Sequence, residues 1–188
     1  MLKDRKEALI DALKDEDASV RSEASETLLK LESLTELVEI LKNFRASEKR
    51  DKMRFIYALS KIRHEKALVP LIHSVKNEDE DLKIAAVRAM GEIKDPKALP
   101  ILLTILSGTS PLLKIQAVES LGRIGDRSCV EALMKMVPAG DEELDEAVIT
   151  ALGRLRSKEA EGLLISSLSA ESPHIRRAAA WALGEIEL

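Results

Sequence analysis

The chain of 188 residues contains one cysteine, four aromatic residues and no long apolar run. A single cysteine excludes a disulfide framework and a metal site built from several thiolates. No apolar segment reaches the ~18 residues of a membrane-spanning helix, and the amphipathic, acidic start MLKDRKEALIDALKDED does not resemble a signal peptide. These absences predict a soluble cytoplasmic protein with no membrane segment. The net charge of -4 favours neither a polyanion ligand nor an acidic tail.

Ala, Glu, Lys, Leu and Arg supply more than half of the residues, a composition typical of helical proteins. A tripeptide of a large apolar residue, a glycine and a charged residue recurs every 31 residues, at Gly91, Gly122, Gly153 and Gly184. Ser60 and Leu29 take the same position one and two intervals earlier. This register predicts a single repeat domain of six units without linkers. Their expected bounds are 1–32, 33–63, 64–94, 95–125, 126–156 and 157–188.

Each unit reads as two helices. Apolar residues stand nine, five and one before the repeat position and two after it, the spacing of a helix face. Candidate N-caps of the second helices lie twelve residues before it, at Asp17, Glu48, Asp79, Ser110, Asp141 and Ser172. Candidate caps of the first helices lie four residues after it, at Ser33, His64, Asp95, Asp126 and Ser157. These caps interrupt the apolar pattern too often for a heptad coiled coil, so about twelve helices of roughly ten to fifteen residues are expected.

The predicted core combines residues from both helices of a unit. In the third unit the second helix buries Leu82, Ala86, Met90 and Ile93, and the first buries Ala67, Leu68, Leu71, Ile72 and Val75. The fourth unit buries Leu113, Ala117, Leu121 and Ile124 together with Ala98, Leu99, Leu102, Leu103 and Leu106. Phe44 and Phe55 also fall on core positions. One helix pair cannot bury such a face alone, so stacking of neighbours is expected.

The units resemble HEAT-like repeats, and in particular the short subtype named after phycobilisome lyases. The pattern is carried by Asp79-x-x-Leu82-Lys83-x-x-Ala86-x-x-x-Met90-Gly91-x-Ile93-x-Asp95 and by its counterpart from Ser172 to Ile186. The resemblance implies an all-α, right-handed α-solenoid (armadillo/HEAT-type superhelix) of six two-helix repeats. It also implies that the second helices line the concave side. Asp145 on a basic position and Ser60 on a glycine position depart from the pattern.

The same resemblance places a set of variable positions on the concave face. Their chemistry changes from unit to unit on a repeating frame, as a partner-binding groove requires. The candidate residues are Arg50, Met53, Arg54, Tyr57, Lys61, Ile84, Arg88, Leu112, Ile115, Glu119, Arg123, Arg177 and Trp181. Tyr57 and Trp181 are interface-anchor residue types. Trp181 has a second interpretation, in which it folds over the open C-terminal end of the core.

Residues 42–66 contain nine basic and three acidic side chains. Such a segment suits an acidic protein partner or, by neutralising phosphates, a nucleic acid. Single-strand binding requires aromatic side chains for base stacking, and only Tyr57 is near. Nucleic-acid binding through the second unit is therefore the disfavoured alternative.

No catalytic constellation stands out, so neither an enzyme nor a cofactor is expected. The His64-Glu65 pair is reminiscent of the metal ligands of deoxyhypusine hydroxylase, a HEAT-like iron enzyme, but that resemblance requires several such pairs. We interpret this pair as a turn. Cys129 takes a position held by alanine in neighbouring units and is expected to be buried.

The sequence favours a non-enzymatic interaction module or scaffold that binds a protein or peptide on the concave face. A phycobilin-lyase-like accessory or chaperone subunit is the alternative. Residues 4–14 resemble a polar cap, whereas the Ala- and Leu-rich segment 175–188 ends without one. We therefore expect either a weak homodimer through the C-terminal repeat or a longer array of which this chain is a piece.

Overall fold

The computed structural model describes residues 2–44 and 48–186, and every regular element within these ranges is helical. The predicted all-α fold is thereby confirmed. The chain divides into two compact units, Met1–Ser47 and Glu48–Leu188. Outside the described residues lie Arg45 of the basic segment, the last two residues of the sixth predicted unit, and the side chains of Leu29, Ser33 and Lys42.

The first compact unit consists of α1 (Leu2–Ala12) and α2 (Ala18–Asn43), which pack against each other. Asp17 caps α2, because its carboxylate accepts hydrogen bonds from the backbone N–H groups of Ser19 and Val20. A hydrogen bond from the Ser19 hydroxyl, followed by these two backbone bonds, lowers the pKa of the Asp17 carboxyl. The cap predicted at this position is confirmed.

The helix start predicted at Ser33 is wrong, since α2 continues through it without a break. In four of the later units a residue with positive φ follows the end of the second helix, three positions after the repeat position: Arg63, Lys94, Gly125 and Arg156. Here that position is Glu32, and residues 28–37 are mostly Leu, Glu and Lys, with no Gly, Pro, Asn or Asp. Helix propensity therefore carries α2 onwards. The boundary between the first two predicted units falls inside α2, and the division into six units stays a prediction.

The second compact unit starts with one helix and continues with four helix pairs. Its helices are α3 (Lys49–Ile62), α4 (Leu68–Asn77), α5 (Glu80–Ile93), α6 (Leu99–Leu106), α7 (Pro111–Ile124), α8 (Val130–Met134), α9 (Glu142–Arg154), α10 (Glu161–Ser167) and α11 (Pro173–Glu185). The first helix of each pair is preceded by a three-residue 3-10 turn. This turn uses residues that the sequence assigned to the α-helix, so α4, α6, α8 and α10 are shorter than the second helices.

Side-chain caps set the starts of four of these nine described helices. Asp79, Ser110, Asp141 and Ser172 each accept a backbone hydrogen bond from the first turn of their helix, as predicted. Glu48 precedes α3 without such a bond. The 3-10 turns begin in the same way at His64, Asp95 and Asp126, whereas Ser157 makes no capping bond. Caps and turns together set the points at which helices begin in the 31-residue repeat.

The second helices pack in sequence, α3 on α5, α5 on α7, α7 on α9 and α9 on α11, and each first helix packs on the second helix of its pair. Most of the predicted core is buried, including Leu82, Met90, Leu102 and Leu121. The half-buried exceptions are Phe55, Ile72, Leu103, Leu106, Leu113 and Ile124. The result is an all-α repeat solenoid with one aliphatic layer between the two rows of helices.

Three of the four repeat glycines, Gly91, Gly122 and Gly153, permit close contact between successive second helices. A Cβ atom on Gly91 would lie 2.7 Å from the Oγ atom and 2.8 Å from the Cα atom of Ser120. A Cβ atom on Gly153 would lie 2.7 Å from the Cβ atom of Ala182. Neighbouring backbones thus approach more closely than a side chain allows, which is the physical reason for glycine at these positions.

At the basic position of the repeat, Arg21 and Arg176 each bind the linker that precedes their helix. Arg176 donates to the carbonyl oxygens of Ala170 and Glu171 at 2.7 and 2.6 Å. In the fifth predicted unit, Asp145 is buried and accepts a 2.8 Å hydrogen bond from the backbone N–H of Ala139. Here the backbone N–H donates and the side chain accepts, the reverse of the Arg176 contact. The hydrogen bond between this position and the linker is therefore kept although the charge of the side chain differs.

Candidate functional site

The thirteen candidate residues lie on α3, α5, α7 and α11, and none of them is buried. We call the surface that they mark the second-helix face. Tyr57, Leu112 and Trp181 are large apolar or aromatic residues exposed to 66%, 60% and 43%. Large exposed side chains are informative where they adjoin a cavity, and two cavities adjoin this face.

The first cavity, which we call the α3–α5 groove, has a volume of about 960 Å³. Its lining comes from three turns of α3 and two turns of α5. The lining residues are Lys49, Arg50, Met53, Arg54, Ile56, Tyr57, Ser60, Lys61, Ala85, Arg88, Ala89 and Glu92. The structure thus brings together six of the thirteen candidates.

Tyr57 lines the groove with two-thirds of its surface exposed. One contact involves its ring and another its backbone carbonyl. The Nζ atom of Lys61 lies 5.0 Å from the centre of the Tyr57 ring, a cation–π distance. The hydroxyl of Ser60 donates a 2.8 Å hydrogen bond to the Tyr57 carbonyl oxygen. Ser60 and its neighbour Ile56 are buried, so the helix presents the ring from a packed base.

Some of the cations beside the groove are neutralised. Lys49 donates to Asp81 at 2.8 Å and lies 3.0 Å from Asp79, and these hydrogen bonds, that to Asp81 first, raise the pKa of the lysine. Arg54 lies 3.3 Å from Asp51. Their charges are therefore largely cancelled at close range.

Other cations of the groove share a single carboxylate. The Oε1 atom of Glu92 lies 3.5 Å from Nε of Arg88, and its Oε2 atom lies 3.9 Å from Nζ of Lys61. The side chain of Arg50 makes no hydrogen bond or ion pair with any residue that the structure describes. The groove keeps an excess of positive charge around an apolar floor.

The second cavity lies between α9 and α11 and has a volume of about 380 Å³. Trp181 lines it, and a Cβ atom on Gly153 would lie 2.9 Å from Cζ3 of the indole. The ring therefore packs against α9, the second helix of the preceding unit. Arg177 donates to Glu146 at 3.0 Å across this cavity. Two charged groups of the cavity are thus already paired.

The remaining candidates lie outside both cavities. Arg123 donates to Glu119 at 3.1 Å, and both belong to α7. Leu112 is exposed, whereas Ile84 and Ile115 are half-buried. Four of these five residues lie on α7, which packs between α5 and α9 and so separates the two cavities.

Sequence reasoning missed part of both linings. Glu146, Thr150 and Arg154 lie seven and three residues before Gly153 and one after it, which are positions that supplied candidates in other units. Applying the register to α9 identifies them. Lys49 and Ala89 take positions outside the chosen set, and only packing reveals their contribution.

The other groups singled out in the sequence lie elsewhere. The Nδ1 atom of His64 accepts a 3.1 Å hydrogen bond from the N–H of Lys66, and Glu65 pairs with Lys97. Cys129 is buried and donates to the Asp126 carbonyl oxygen, and burial raises the pKa of its thiol to about 11. In the described ranges, no three His, Cys, Asp or Glu side chains are grouped as metal ligands.

A family profile described as HEAT repeats matches residues 34–111, 99–160 and 136–188. Curated protein sequences gave no significant match. Among solved structures, the fold is similar to the complex of CpcE and CpcF of phycocyanin lyase from Nostoc sp. PCC7120, with a TM-score of 0.63, 22% identity and coverage of 96% of this chain and 64% of that chain. It is also similar to an engineered protein from the Northeast Structural Genomics Consortium, with a TM-score of 0.56, 18% identity and coverage of 97% and 96%. At these identities the similarity shows the fold alone.

This chain thus spans less than two-thirds of the matched lyase chain. Within the described ranges, every helix is too short or too polar to cross a bilayer.

Proposed function

The chain belongs to the HEAT-repeat family, and from this premise we propose that it is a non-enzymatic interaction module whose second-helix face binds a segment of a partner protein. HEAT repeats suggest a protein-interaction scaffold, and the similar lyase structure is itself a complex of two proteins. The second helices would then line the concave side of the solenoid. The buried Cys129 accords with the cytoplasmic location that belongs to this proposal.

The α3–α5 groove is the observation that carries the proposal. It joins an exposed tyrosine to an apolar floor beneath arginine and lysine side chains, and Tyr and Arg are enriched among the residues that dominate binding energy. The cavity beside Trp181 repeats the combination of an aromatic ring, arginine and a small apolar surface. A partner that follows the row of second helices would contact both.

Site-specific photo-crosslinking in the native host tests this function. A photoreactive amino acid replaces Tyr57 on α3 or, as a matched control, Val69 on α4, since the two residues are exposed to 66% and 65%. We expect position 57 to crosslink a defined protein and position 69 to crosslink none. Crosslinking of the same protein from both positions, or from position 69 alone, would refute the assignment of the face.

A tetrapyrrole-handling accessory role is the second candidate. The α3–α5 groove favours it, because about 960 Å³ lies in the size range of small-molecule sites and its cations suit carboxylate groups. Titration of the purified protein with a bilin tests this role by the absorption spectrum. An unchanged absorption spectrum would exclude this role and would not affect the proposal of an interaction module.

Two further expectations complete the proposal. Nucleic-acid binding through α3 remains disfavoured, and a complete lack of affinity at low salt would remove it. A weak homodimer through the C-terminal repeat stays a prediction. Light scattering that shows a monomer at high concentration would contradict it.

A further inference from the structure

The α3–α5 groove has an electrostatic preference that follows from its ion pairs. Lys61 and Arg88 share the carboxylate of Glu92, and Arg50 has no charged partner within the described ranges. The side chain of Arg50 is exposed and lines the groove together with the other two. The excess charge on these residues favours a ligand that carries carboxylates.

The floor of the groove adds an apolar requirement. Ile56 and Ala89 are 2% exposed and form a packed base, and Met53 and Ala85 are half-buried above them. Tyr57 closes one side with an exposed ring. An entirely acidic ligand would leave this apolar surface exposed to water. The complementary ligand therefore has one apolar side between acidic flanks.

The backbone of the ligand must also be satisfied. Both walls are α-helices, whose N–H and C=O groups are bonded within the helix, so neither wall can pair with an extended chain. An amide side chain both donates and accepts, so it is the group best suited to bind an extended backbone, and no Asn or Gln occurs among the described residues that line the groove. The Ser60 hydroxyl is already bonded to the Tyr57 carbonyl. An α-helix, which satisfies its own backbone, fits these walls.

From these three observations we infer that the groove takes an acidic amphipathic α-helix of a partner protein, an inference that rests on the proposed function. Its apolar stripe lies on Met53 and Tyr57, and its flanking Asp and Glu side chains meet Arg50, Lys61 and Arg88. Because α3 has 14 residues, a helix of about the same length, roughly 20 Å, matches the groove. Apolar anchors at i, i+3, i+4 and i+7 are the expected pattern.

Binding of designed peptides to the full chain tests the inference by fluorescence anisotropy. The probe is a helical peptide of about 14 residues with Leu at i, i+3, i+4 and i+7 and Glu on the flanks. One control peptide replaces each Glu with Gln, and another carries a central proline that breaks the helix. We expect the acidic helix to bind at least about tenfold more tightly than either control, and salt to weaken it.

Variants of the protein locate the binding. Tyr57→Ala and Arg50→Glu should each weaken binding of the acidic peptide by about tenfold. Val69→Ala and Lys158→Glu are the matched controls, since both residues are exposed and lie outside the second helices, and they should change it by less than about twofold. Thermal unfolding followed by circular dichroism checks that all four variants fold.

The two experiments separate this inference from the proposed function. Equal binding of the acidic, neutral and proline peptides, absence of peptide binding, or equal losses in the control variants would overturn the acidic-helix inference. Crosslinking from position 57 decides independently whether a protein occupies the face at all. A crosslinked partner together with a failed peptide series would mean that the face binds protein through another kind of segment.

Discussion

Alanine substitutions of the repeat glycines should separate steric contact from helix propensity. Each of these glycines lies within a helix, where alanine is favoured by about 0.5–1 kcal/mol. A Cβ atom at Gly184 meets nothing within 4 Å, whereas at Gly91 and Gly153 it would lie 2.7–2.8 Å from atoms of the next helix. Those atoms include Cα atoms of the backbone, so rotation of a side chain cannot relieve the clash.

Overpacking of this kind costs about 1–3 kcal/mol. After the propensity gain of about 0.5–1 kcal/mol is subtracted, Gly91→Ala and Gly153→Ala should destabilise the fold by up to about 2.5 kcal/mol. Gly184→Ala should stabilise it by up to about 0.5 kcal/mol, since the residue is near the end of its helix. Gly122→Ala should fall between them, because its nearest contact, to Ala151, is 3.1 Å.

Urea unfolding followed by far-UV circular dichroism measures these changes as shifts of the midpoint at constant slope. Trp181 is the single tryptophan of the chain and lies beside Gly153, so its fluorescence provides a local readout. Gly153→Ala should alter that fluorescence in the folded state, and Gly91→Ala should leave it unchanged. A stabilisation of equal size in all four variants would refute the close-approach explanation of the repeat glycines.

Three further predictions concern single groups, each measured by denaturant unfolding. Asp145→Ala should destabilise the fold by about 1–3 kcal/mol, since it removes the acceptor of the Ala139 N–H. Asp145→Asn should destabilise it less. Equal losses of stability in the two variants would contradict this role of Asp145. Burial holds the Cys129 thiol protonated in the folded state. The stability of the wild type relative to Cys129→Ala should therefore fall as the pH rises from about 9 to about 11. A stability difference that does not change with pH would argue against burial of the thiol. Lys94→Gly should stabilise the fold by about 1 kcal/mol and Gly125→Ala should destabilise it by about the same amount, because both positions have positive φ. Stability changes of the opposite signs would exclude this explanation.

Much of the fold was predictable because the relevant interactions are local. A cap such as Asp79 acts on amides of its own first turn, and the apolar spacing of Leu82, Ala86 and Met90 follows from the helical period. The exception at Ser33 arises where no residue nearby opposes the helix, so a weak local signal was outweighed by propensity over the whole segment. The register also located the exposed Tyr57 and Trp181 without any structure.

Which residues repeat, which cap helices and which stay outside the core depend mostly on neighbours within one or two turns, so the pattern of residues predicts most of them. Which exposed residues share a cavity depends instead on how the helices pack in three dimensions. The pairing of Lys61 with Glu92 and the contact of Trp181 with Gly153 join residues on different helices. The distance between such helices depends on packing, and that distance turns a row of variable side chains into a groove with a floor, an aromatic side and unpaired positive charge.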